Sequence, residues 1–217
     1  MSEMETRRNH KAHNLNLDYY NGVLRDKSPE QIIEWALYIA ERPVITSNFR
    51  PYATVLIHAC SRQKPDIPVI WCDTGFNTQS TYTHIEEVVR MLKLNLYKYK
   101  PTLSKDFIGY YYGIPSPNNR LHSLFSELVK LEPFRRAMEE HKPDIWFTNV
   151  RRGQTEFRNG LDILSYSKEG ILKVSPFYYA NTKELYTYTQ KYSLPIEFDY
   201  FDPTKGEADM ECGMQLM

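Results

Sequence analysis

The sequence predicts an α/β fold, a mostly parallel twisted sheet with helices on both faces. Short apolar runs typical of buried strands alternate along the chain with segments whose apolar residues recur at helical spacing. The 217 residues are 41% hydrophobic and 25% charged, which is ordinary for a globular chain with one buried core. We expect one domain at 15–192, between a flexible N-terminal tail at 1–14 and a mobile C-terminal tail at 193–217.

The first half of the chain is predicted to alternate between helices and strands. Ser28 is expected to cap the first helix, because Pro29 suits its first position and Gln31 can complete a capping box. The run at 67–72 is apolar throughout, as in strands that are buried on both faces. The other elements predicted here are a strand at 43–46, a helix at 51–62, a helix at 80–92 and a strand at 94–99.

The second half continues this alternation after a long interruption. Residues 101–120 contain Pro, Gly, Ser and Asn without periodicity, so we expect a functional or mobile loop there. Asn181 is expected to cap the last helix, which runs to about Tyr192. The other elements predicted here are a helix at 122–141, a strand at 144–150, an arginine-rich loop at 151–161 and short strands at 162–166 and 171–175.

Composition argues against several classes of function. The 27 basic and 27 acidic residues balance, which disfavours nucleic acid or an anionic membrane as a partner. No apolar run approaches the ~20 residues that span a bilayer, and residues 1–14 lack the apolar segment of a secretory signal, so we expect a cytoplasmic protein. The three cysteines form no CxxC motif, so neither a disulfide framework nor a metal site is expected.

Residues 47–54 connect the first predicted strand to its helix. Ser47, Asn48 and Phe49 stand at the strand end, where small polar groups and the free N–H groups of a helix start can bind an anion. An ordinary strand-to-helix turn is the alternative. Arg50 favours that alternative, because a phosphate loop normally has glycine so that the backbone can approach the phosphate.

Asp73, Thr74 and Gly75 directly follow the predicted strand at 67–72. An acidic side chain at a strand end can bind ribose or adenine groups, and glycine permits a tight turn. A plain turn without a ligand explains the same residues equally well.

An arginine-rich loop follows the fourth predicted strand. Arg151, Arg152 and Arg158 can each bind phosphate or sulfate oxygens in pairs, and Gln154 adds a further polar group. A solvated run of charges is the alternative. The loop position at a strand end, where ligands of α/β folds bind, favours a binding role. Lys130 is a weaker candidate for one more cation.

Cys212 lies five residues before the last residue of the sequence, in a Glu-Cys-Gly triplet. A thiol needs a lowered pKa to react at neutral pH. When the tail closes over the site, the arginine and lysine side chains around a bound sulfate group would supply the positive charge that lowers this pKa. Cys60 and Cys72 are expected to be packed small hydrophobes, although Cys72 ends a strand close to the predicted site.

Taken in order, these segments resemble the sulfonucleotide reductases, in particular the phosphoadenosine phosphosulfate (PAPS) reductases. The resemblance extends from about residue 28 to residue 217. Each motif alone is modest, but six in the same order are specific. The six motifs are Ser47-Asn48-Phe49-Arg50, Asp73-Thr74-Gly75-Phe76, Lys130-Leu131-Glu132-Pro133, the loop 151–158, Lys173-Val174-Ser175-Pro176 and Glu211-Cys212-Gly213-Met214-Gln215. The second motif follows the segment 65–70, which also matches the family.

The resemblance implies a fold of the adenine nucleotide alpha hydrolase type and a two-step reaction. The Cys212 thiolate would attack the sulfur of PAPS, which leaves adenosine 3′,5′-bisphosphate and a cysteine S-sulfonate. Thioredoxin or glutaredoxin would then release sulfite by thiol exchange. The strand-end residues named above, together with Lys130, would bind the substrate. Whether the protein forms a homodimer is left open.

The resemblance also bears on cofactors and on the alternatives. Adenylylsulfate reductases of the same family hold a [4Fe–4S] cluster on a Cys-Cys pair and a later CxxC. The chain has neither motif, which implies no cluster and favours PAPS over adenylylsulfate. Two residues depart from the family pattern: Arg50 replaces a loop glycine, and Gln215 replaces a histidine of the tail. These departures leave open the alternative that the protein is a nucleotide-binding relative without reductase activity. ATP-dependent chemistry is disfavoured, because 47–54 contains no glycine.

Overall fold

The computed structural model describes residue 12 and the ranges 14–116 and 118–205. Its strands are β1 (Pro43–Thr46), β2 (Pro68–Cys72), β3 (Asn95–Tyr99), β4 (Ile145–Phe147), β5 (Leu164–Tyr166) and β6 (Leu172–Val174). Its helices are α1 (Leu17–Leu24), α2 (Pro29–Ile39), α3 (Ala53–Gln63), α4 (Gln79–Leu92), α5 (Lys105–Tyr112), α6 (His122–Ser126), α7 (Glu132–His141), α8 (Glu156–Asn159) and α9 (Thr182–Lys191), with a π-helical segment (Glu127–Leu131) between α6 and α7.

The strands form one sheet in the order β3-β2-β1-β4-β6-β5. Neighbouring strands pair in parallel, except that β5 is antiparallel to β6. The chain winds outward from β1 to β3 and then returns to place β4 on the other side of β1. The crevice between the loops after β1 and β4 is therefore the point where ligands bind in open α/β sheets. The predicted mostly parallel sheet is confirmed.

Alternate side chains of the central strands face opposite sides of the sheet. Val44 and Trp146 pack in one cluster with Phe134 of α7. Ile45 and Ile145 belong to the larger core, which also contains buried side chains of α2, α3, α4 and α9. Since strand side chains alternate between faces, the two clusters show that helices cover both sides, as predicted.

Two predicted helix starts are confirmed in detail. Ser28 Oγ accepts a hydrogen bond from the Gln31 backbone N–H, and Gln31 Oε1 accepts one from the Ser28 N–H. Asn181 and Glu184 form the same reciprocal pair at the start of α9. Each capping box satisfies backbone N–H groups that a helix start otherwise leaves unpaired.

The prediction of a long loop at 101–120 is wrong, because α5 lies within it. Ser104 caps this helix by accepting a hydrogen bond from the Phe107 N–H. Only Ile108 of α5 is buried, and it packs beside Phe76 and Phe125. A helix with one buried side chain has no apolar stripe, so hydrophobic periodicity could not reveal it.

Residues 193–205, the described part of the predicted C-terminal tail, pack back on the domain and are called the C-terminal segment below. Thr54 at the start of α3 donates a hydrogen bond to the Pro195 carbonyl at 3.3 Å. Thr78, the cap of α4, donates to the Asp199 carbonyl at 2.7 Å. The segment therefore crosses the helix starts that adjoin the carboxyl ends of β1 and β2.

Apart from residues 12 and 14, the predicted N-terminal tail lies outside the described residues, as do the last twelve residues, which include Cys212. The division at 1–14, 15–192 and 193–217 therefore stays a prediction. Within the described residues, no helix combines the length and the apolar character needed to cross a membrane.

Candidate active site

A pocket opens at the carboxyl ends of β1, β2 and β4, where the topology predicts a ligand site. Its cavity volume is about 70 Å³, below the range of about 300–1,000 Å³ typical of small-molecule sites, and Lys205 of the C-terminal segment is among the residues that close it. The lining residues are Thr46, Ser47, Asn48, Arg50, Ile70, Cys72, Lys130, Phe134, Asn149, Val150, Arg158 and Lys205.

The charge of this lining has one sign. Among the described residues that line the pocket, no side chain is acidic, and the positively charged ones are Arg50, Lys130, Arg158 and Lys205. Cations gathered from four separate parts of the chain at one pocket are suited to bind an anion.

The loop after β1 presents two of its three predicted residues to the pocket. Ser47 and Asn48 line it, while Ser47 Oγ accepts a hydrogen bond from the Phe49 N–H at 3.0 Å. Phe49 instead points into the core, fully buried, with its ring edge-on to Trp71 at 5.8 Å between centroids. Phe49 holds a left-handed backbone, with φ of 53°, so its side chain anchors the loop from below.

Arg50 lines the pocket beside Ser47 and Asn48. From the sequence this arginine was an obstacle to anion binding, because it replaces a glycine. In the structure it adds positive charge to the site, so the departure increases the attraction for an anion rather than removing it.

The loop after β4 is organised around Gln154. Gln154 Oε1 accepts hydrogen bonds from the Arg151 N–H, at 3.0 Å, and from the Arg158 guanidinium. Thr155 caps α8 by accepting a hydrogen bond from the Arg158 N–H. Arg158 is 4% exposed and lines the pocket. Gln154 therefore positions the arginines, which is a different contribution from the direct contact predicted for it.

Arg151 and Arg158 lie close enough to affect each other electrostatically. Burial lowers the pKa of Arg151, and the positive charge of Arg158 lowers it further. Arg151 nevertheless stays protonated, since a guanidinium does not lose its proton in proteins. Arg151 Nε is closed off from solvent and has no hydrogen-bond partner among the described residues. Arg152, the third predicted arginine, is exposed and lies outside the lining.

Asn149 is the first residue of this loop to line the pocket, and its side chain is unusual. The amide nitrogen and the amide oxygen are both closed off from solvent, and neither has a hydrogen-bond partner among the described residues. An unpaired buried amide costs about 1–3 kcal/mol. Asn149 was not among the residues predicted from the sequence.

Lys130 reaches the pocket from the π-helical segment, a local widening often found at functional sites. Its Nζ, 4% exposed as part of the residue, donates to Asp202 Oδ2 at 2.5 Å and to Thr204 Oγ1 at 3.1 Å. Burial alone would raise the pKa of Asp202, but the charge of Lys130 and the hydroxyl of Thr204 outweigh burial and leave that pKa below its ordinary value. The C-terminal segment thus places its own carboxylate on a predicted substrate-binding cation.

The turn after β2 is hydrogen-bonded within itself. Asp73 Oδ1 accepts from the Gly75 N–H at 3.0 Å, from Asn77 Nδ2 at 3.2 Å and from the Tyr82 hydroxyl at 2.8 Å. Thr74 Oγ1 accepts from the next N–H but one, and Gly75 takes φ of 82°, in the region that favours glycine. Asp73, Thr74 and Gly75 lie outside the lining of the pocket. Their role in binding the substrate therefore stays a prediction.

The cysteines differ in their access to the pocket. Cys60 is fully buried, and burial raises the pKa of its thiol, as expected for a packed residue. Cys72 ends β2 and lines the pocket. Cys212 lies outside the described residues. No group of three or more His, Cys, Asp or Glu residues within the described ranges is arranged to hold a metal ion.

Comparison with known sequences gives one family. The chain matches the family described as phosphoadenosine phosphosulfate reductase domain over residues 42–200. It is 33% identical to the phosphoadenosine 5′-phosphosulfate reductase of Proteus mirabilis over 83% of this chain and 75% of that protein. It is 30% identical to the enzyme of the same name from a Synechococcus species, over 86% of this chain and 82% of that protein.

Comparison with solved structures gives the same fold. The phosphoadenylyl-sulfate reductase of Candida auris, crystallised as a phosphate complex, superposes with a TM-score of 0.71 at 22% identity and covers 83% of this chain and 87% of that chain. The FMN adenylyltransferase of Candida glabrata, in complex with ATP, superposes with a TM-score of 0.56 at 12% identity, over 88% of this chain and 63% of that chain. At these identities the two structures show the fold alone, which is of the adenine nucleotide alpha hydrolase type.

Proposed function

The chain belongs to the phosphoadenosine phosphosulfate (PAPS) reductase family, and from that premise we propose that it reduces PAPS to sulfite and adenosine 3′,5′-bisphosphate. Cys212 is the nucleophile, and thioredoxin or glutaredoxin is the reductant. The observation that supports this proposal most is the pocket at the strand ends, whose described lining carries four cations and no acid.

The pocket supplies what a sulfonucleotide requires. PAPS carries a sulfate, a bridging phosphate and a 3′-phosphate, so it presents several anionic oxygens at once. Arg158 binds such oxygens through paired N–H groups, and Arg50 and Lys205 add positive charge. Arg151 lies outside the lining but belongs to the same loop, where Gln154 holds both arginines. Ser47 and Asn48 contribute short polar groups beside them, as an anion site at a strand end requires.

The chemistry consists of three displacements at sulfur. The Cys212 thiolate forms a bond to the sulfate sulfur, and the bond from that sulfur to the phosphate oxygen breaks with its electron pair on adenosine 3′,5′-bisphosphate. A thiolate of the reductant then bonds to Cys212 Sγ and releases sulfite. The second thiol of the reductant resolves the mixed disulfide, so the two electrons come from one dithiol.

The distance along the chain is compatible with this role for Cys212. Lys205, which lines the pocket, precedes Cys212 by seven residues. An extended chain spans about 3.3 Å per residue, so the thiol reaches roughly 20 Å from Lys205. The cations of the pocket also favour the thiolate over the thiol, because nearby positive charge lowers a cysteine pKa.

Substrate binding requires an exchange at Lys130. Its ammonium group is paired with Asp202 and Thr204 of the C-terminal segment. An anionic group of the nucleotide displaces the Asp202 carboxylate, because both compete for the same Nζ. Binding of substrate is thereby coupled to movement of the segment that leads to Cys212.

Sulfite release tests the proposal. Purified protein is incubated with thioredoxin, a reductant and either PAPS or adenylylsulfate, beside the variants Cys212→Ser, Cys72→Ser and Cys60→Ala. We expect sulfite from PAPS, its loss in Cys212→Ser and its retention in Cys60→Ala, where a core thiol is removed. Loss in Cys72→Ser with full activity in Cys212→Ser would move the nucleophile to the end of β2. No sulfite from either nucleotide would favour a binding relative without reductase activity.

A further inference from the structure

The side chain of Asn149 has a hydrogen-bonding capacity that the described part of the chain leaves unused. The amide group lies at the carboxyl end of β4, on the wall of the pocket. Both its nitrogen and its oxygen lack a partner among the described residues, although both are closed off from solvent. Exchanging the positions of the two atoms would leave the same deficit, so the finding does not depend on how the amide is oriented.

The deficit specifies the chemistry of the missing partner. The amide nitrogen needs an acceptor and the amide oxygen needs a donor. Sulfate and phosphate oxygens can only accept, and the cations that line the pocket can only donate, so neither alone satisfies both atoms. A ligand group that offers a donor next to an acceptor satisfies the amide completely.

We propose that Asn149 recognises the base of the bound nucleotide by a two-point hydrogen bond to the edge of adenine. The exocyclic amino group of adenine donates to the amide oxygen, and the adjacent ring nitrogen N7 accepts from the amide nitrogen, the pairing that asparagine makes with adenine elsewhere. Asn149 is then a specificity-determining residue. This inference rests on the proposed function, since it requires that the pocket bind an adenine nucleotide.

The surroundings of Asn149 suit a base next to charged groups. Ile70, Val150 and Phe134 give the lining an apolar part against which a flat ring can pack. Arg158 and Lys130 supply the charged part for the anionic end of the nucleotide. Entry of the ligand needs the C-terminal segment to yield, because Lys205 of that segment also lines the pocket.

Binding of a matched set of nucleotides tests the inference. Calorimetric titration of the full chain uses adenosine 3′,5′-bisphosphate, inosine 3′,5′-bisphosphate and 2′-deoxyadenosine 3′,5′-bisphosphate. Inosine carries an oxygen in place of the amino group, so one of the two hydrogen bonds to Asn149 becomes a repulsive contact. We expect the wild-type chain to bind the adenosine compound about tenfold or more tightly than the inosine compound, the discrimination of one paired base edge.

The variants Asn149→Ala and Asn149→Leu should bind the two bases within about twofold of each other, the second because leucine preserves volume without the polar atoms. Arg158→Ala is the matched control. It should weaken both nucleotides together and keep their ratio, because it acts on the anionic end. Thermal unfolding of each variant identifies any that fails to fold.

The outcomes separate this inference from the proposed function. A wild-type preference for adenosine that persists in both Asn149 variants would overturn the inference and leave the function intact, as would a wild-type chain that binds both bases equally. If the Asn149 substitutions changed only the ratio of affinities for the adenosine and 2′-deoxyadenosine compounds, the amide would contact the ribose instead of the base. That result would overturn base recognition. If the wild-type chain bound none of the three nucleotides, the proposed function would fail, and the inference with it.

Discussion

The loops that follow β2 and β4 stand at the same edge of the sheet but differ in how their polar groups are satisfied. In the loop after β2, Asp73 Oδ1 accepts three hydrogen bonds from its own turn and from α4. In the loop after β4, Asn149 and Arg151 have buried polar atoms without partners among the described residues. The loop after β2 supplies partners for its own carboxylate, whereas the loop after β4 leaves buried polar atoms unpaired within the described ranges.

The two loops show how polar groups that hold a turn together can be told apart from polar groups that bind a ligand. Both loops follow strands, and both contain the charged and small residues that are typical of nucleotide-binding loops. Burial does not separate them either, since Asp73 and Arg158 are each nearly fully buried. Hydrogen-bond satisfaction does separate them, because a buried group without a partner is costly and persists where a ligand supplies the partner.

Removing the Arg158 guanidinium should have the largest effect on binding. In Arg158→Ala, the affinity for adenosine 3′,5′-bisphosphate should fall about tenfold to a hundredfold, because a hydrogen bond to a charged group contributes about 1.5–3 kcal/mol. Calorimetric titration measures it, with Arg90→Ala on the exposed side of α4 as the matched control. An affinity for Arg158→Ala equal to that of the control would remove the loop after β4 from the site.

Asp73→Ala should instead act on folding. It removes one acceptor from three donors, so the free energy of unfolding should fall by about 1–3 kcal/mol. The affinity for adenosine 3′,5′-bisphosphate should fall less than in Arg158→Ala. Urea denaturation and titration of the same sample measure both quantities. A stable Asp73→Ala variant with a binding loss as large as that of Arg158→Ala would reverse the comparison and support the sequence-based assignment of Asp73 to the substrate.

Asp202→Asn should strengthen nucleotide binding. The substitution removes the negative charge that competes for Lys130 and keeps the size of the side chain. We expect the affinity for adenosine 3′,5′-bisphosphate to rise about threefold to tenfold, because the neutral amide that remains can still accept a hydrogen bond from Lys130 but binds the ammonium group less strongly than the carboxylate does. Asp199→Asn, an exposed change of the same charge in the same segment, serves as the control. Equal affinities in the two variants would show that Lys130 does not exchange partners.

The smallest expected effect is the contribution of Asp202 to the pH dependence of stability. Because the pKa of Asp202 is lowered in the folded protein, its contribution is fully present above the pKa of an unfolded aspartate, about 4, and is lost as the pH falls through the lower folded pKa. The free energy of unfolding should therefore fall more steeply below about pH 4 in the wild-type chain than in Asp202→Asn. Parallel acid titrations that coincide would contradict this.

Strand positions, helix starts and the edge of the sheet that holds the site could be predicted from the sequence, because apolar runs, capping residues and strand order are local properties. The helix α5 could not, since only Ile108 of that helix is buried. The placement of the Phe49 ring could not be predicted either, because the loop sequence does not reveal that its backbone turns left-handed and sends the ring into the core.

The pairing of Lys130 with Asp202 joins residues that are 72 positions apart, and nothing in either local sequence links them. Asn149 had a signal that was overlooked. It lies two residues before Arg151, near the end of the strand predicted at 144–150, so the rule that pointed to Arg151 applied to it as well.

A crystal structure of the chain with adenosine 3′,5′-bisphosphate tests most directly whether the loop after β4 is the ligand site. We expect the nucleotide at the ends of β1, β2 and β4, with its phosphates bound to Arg158 and Lys130. In that structure Asp202 should be displaced from Lys130, and both amide atoms of Asn149 should have hydrogen-bond partners. A nucleotide bound at the turn after β2, with the Lys130–Asp202 pair intact and Asn149 unchanged, would contradict it.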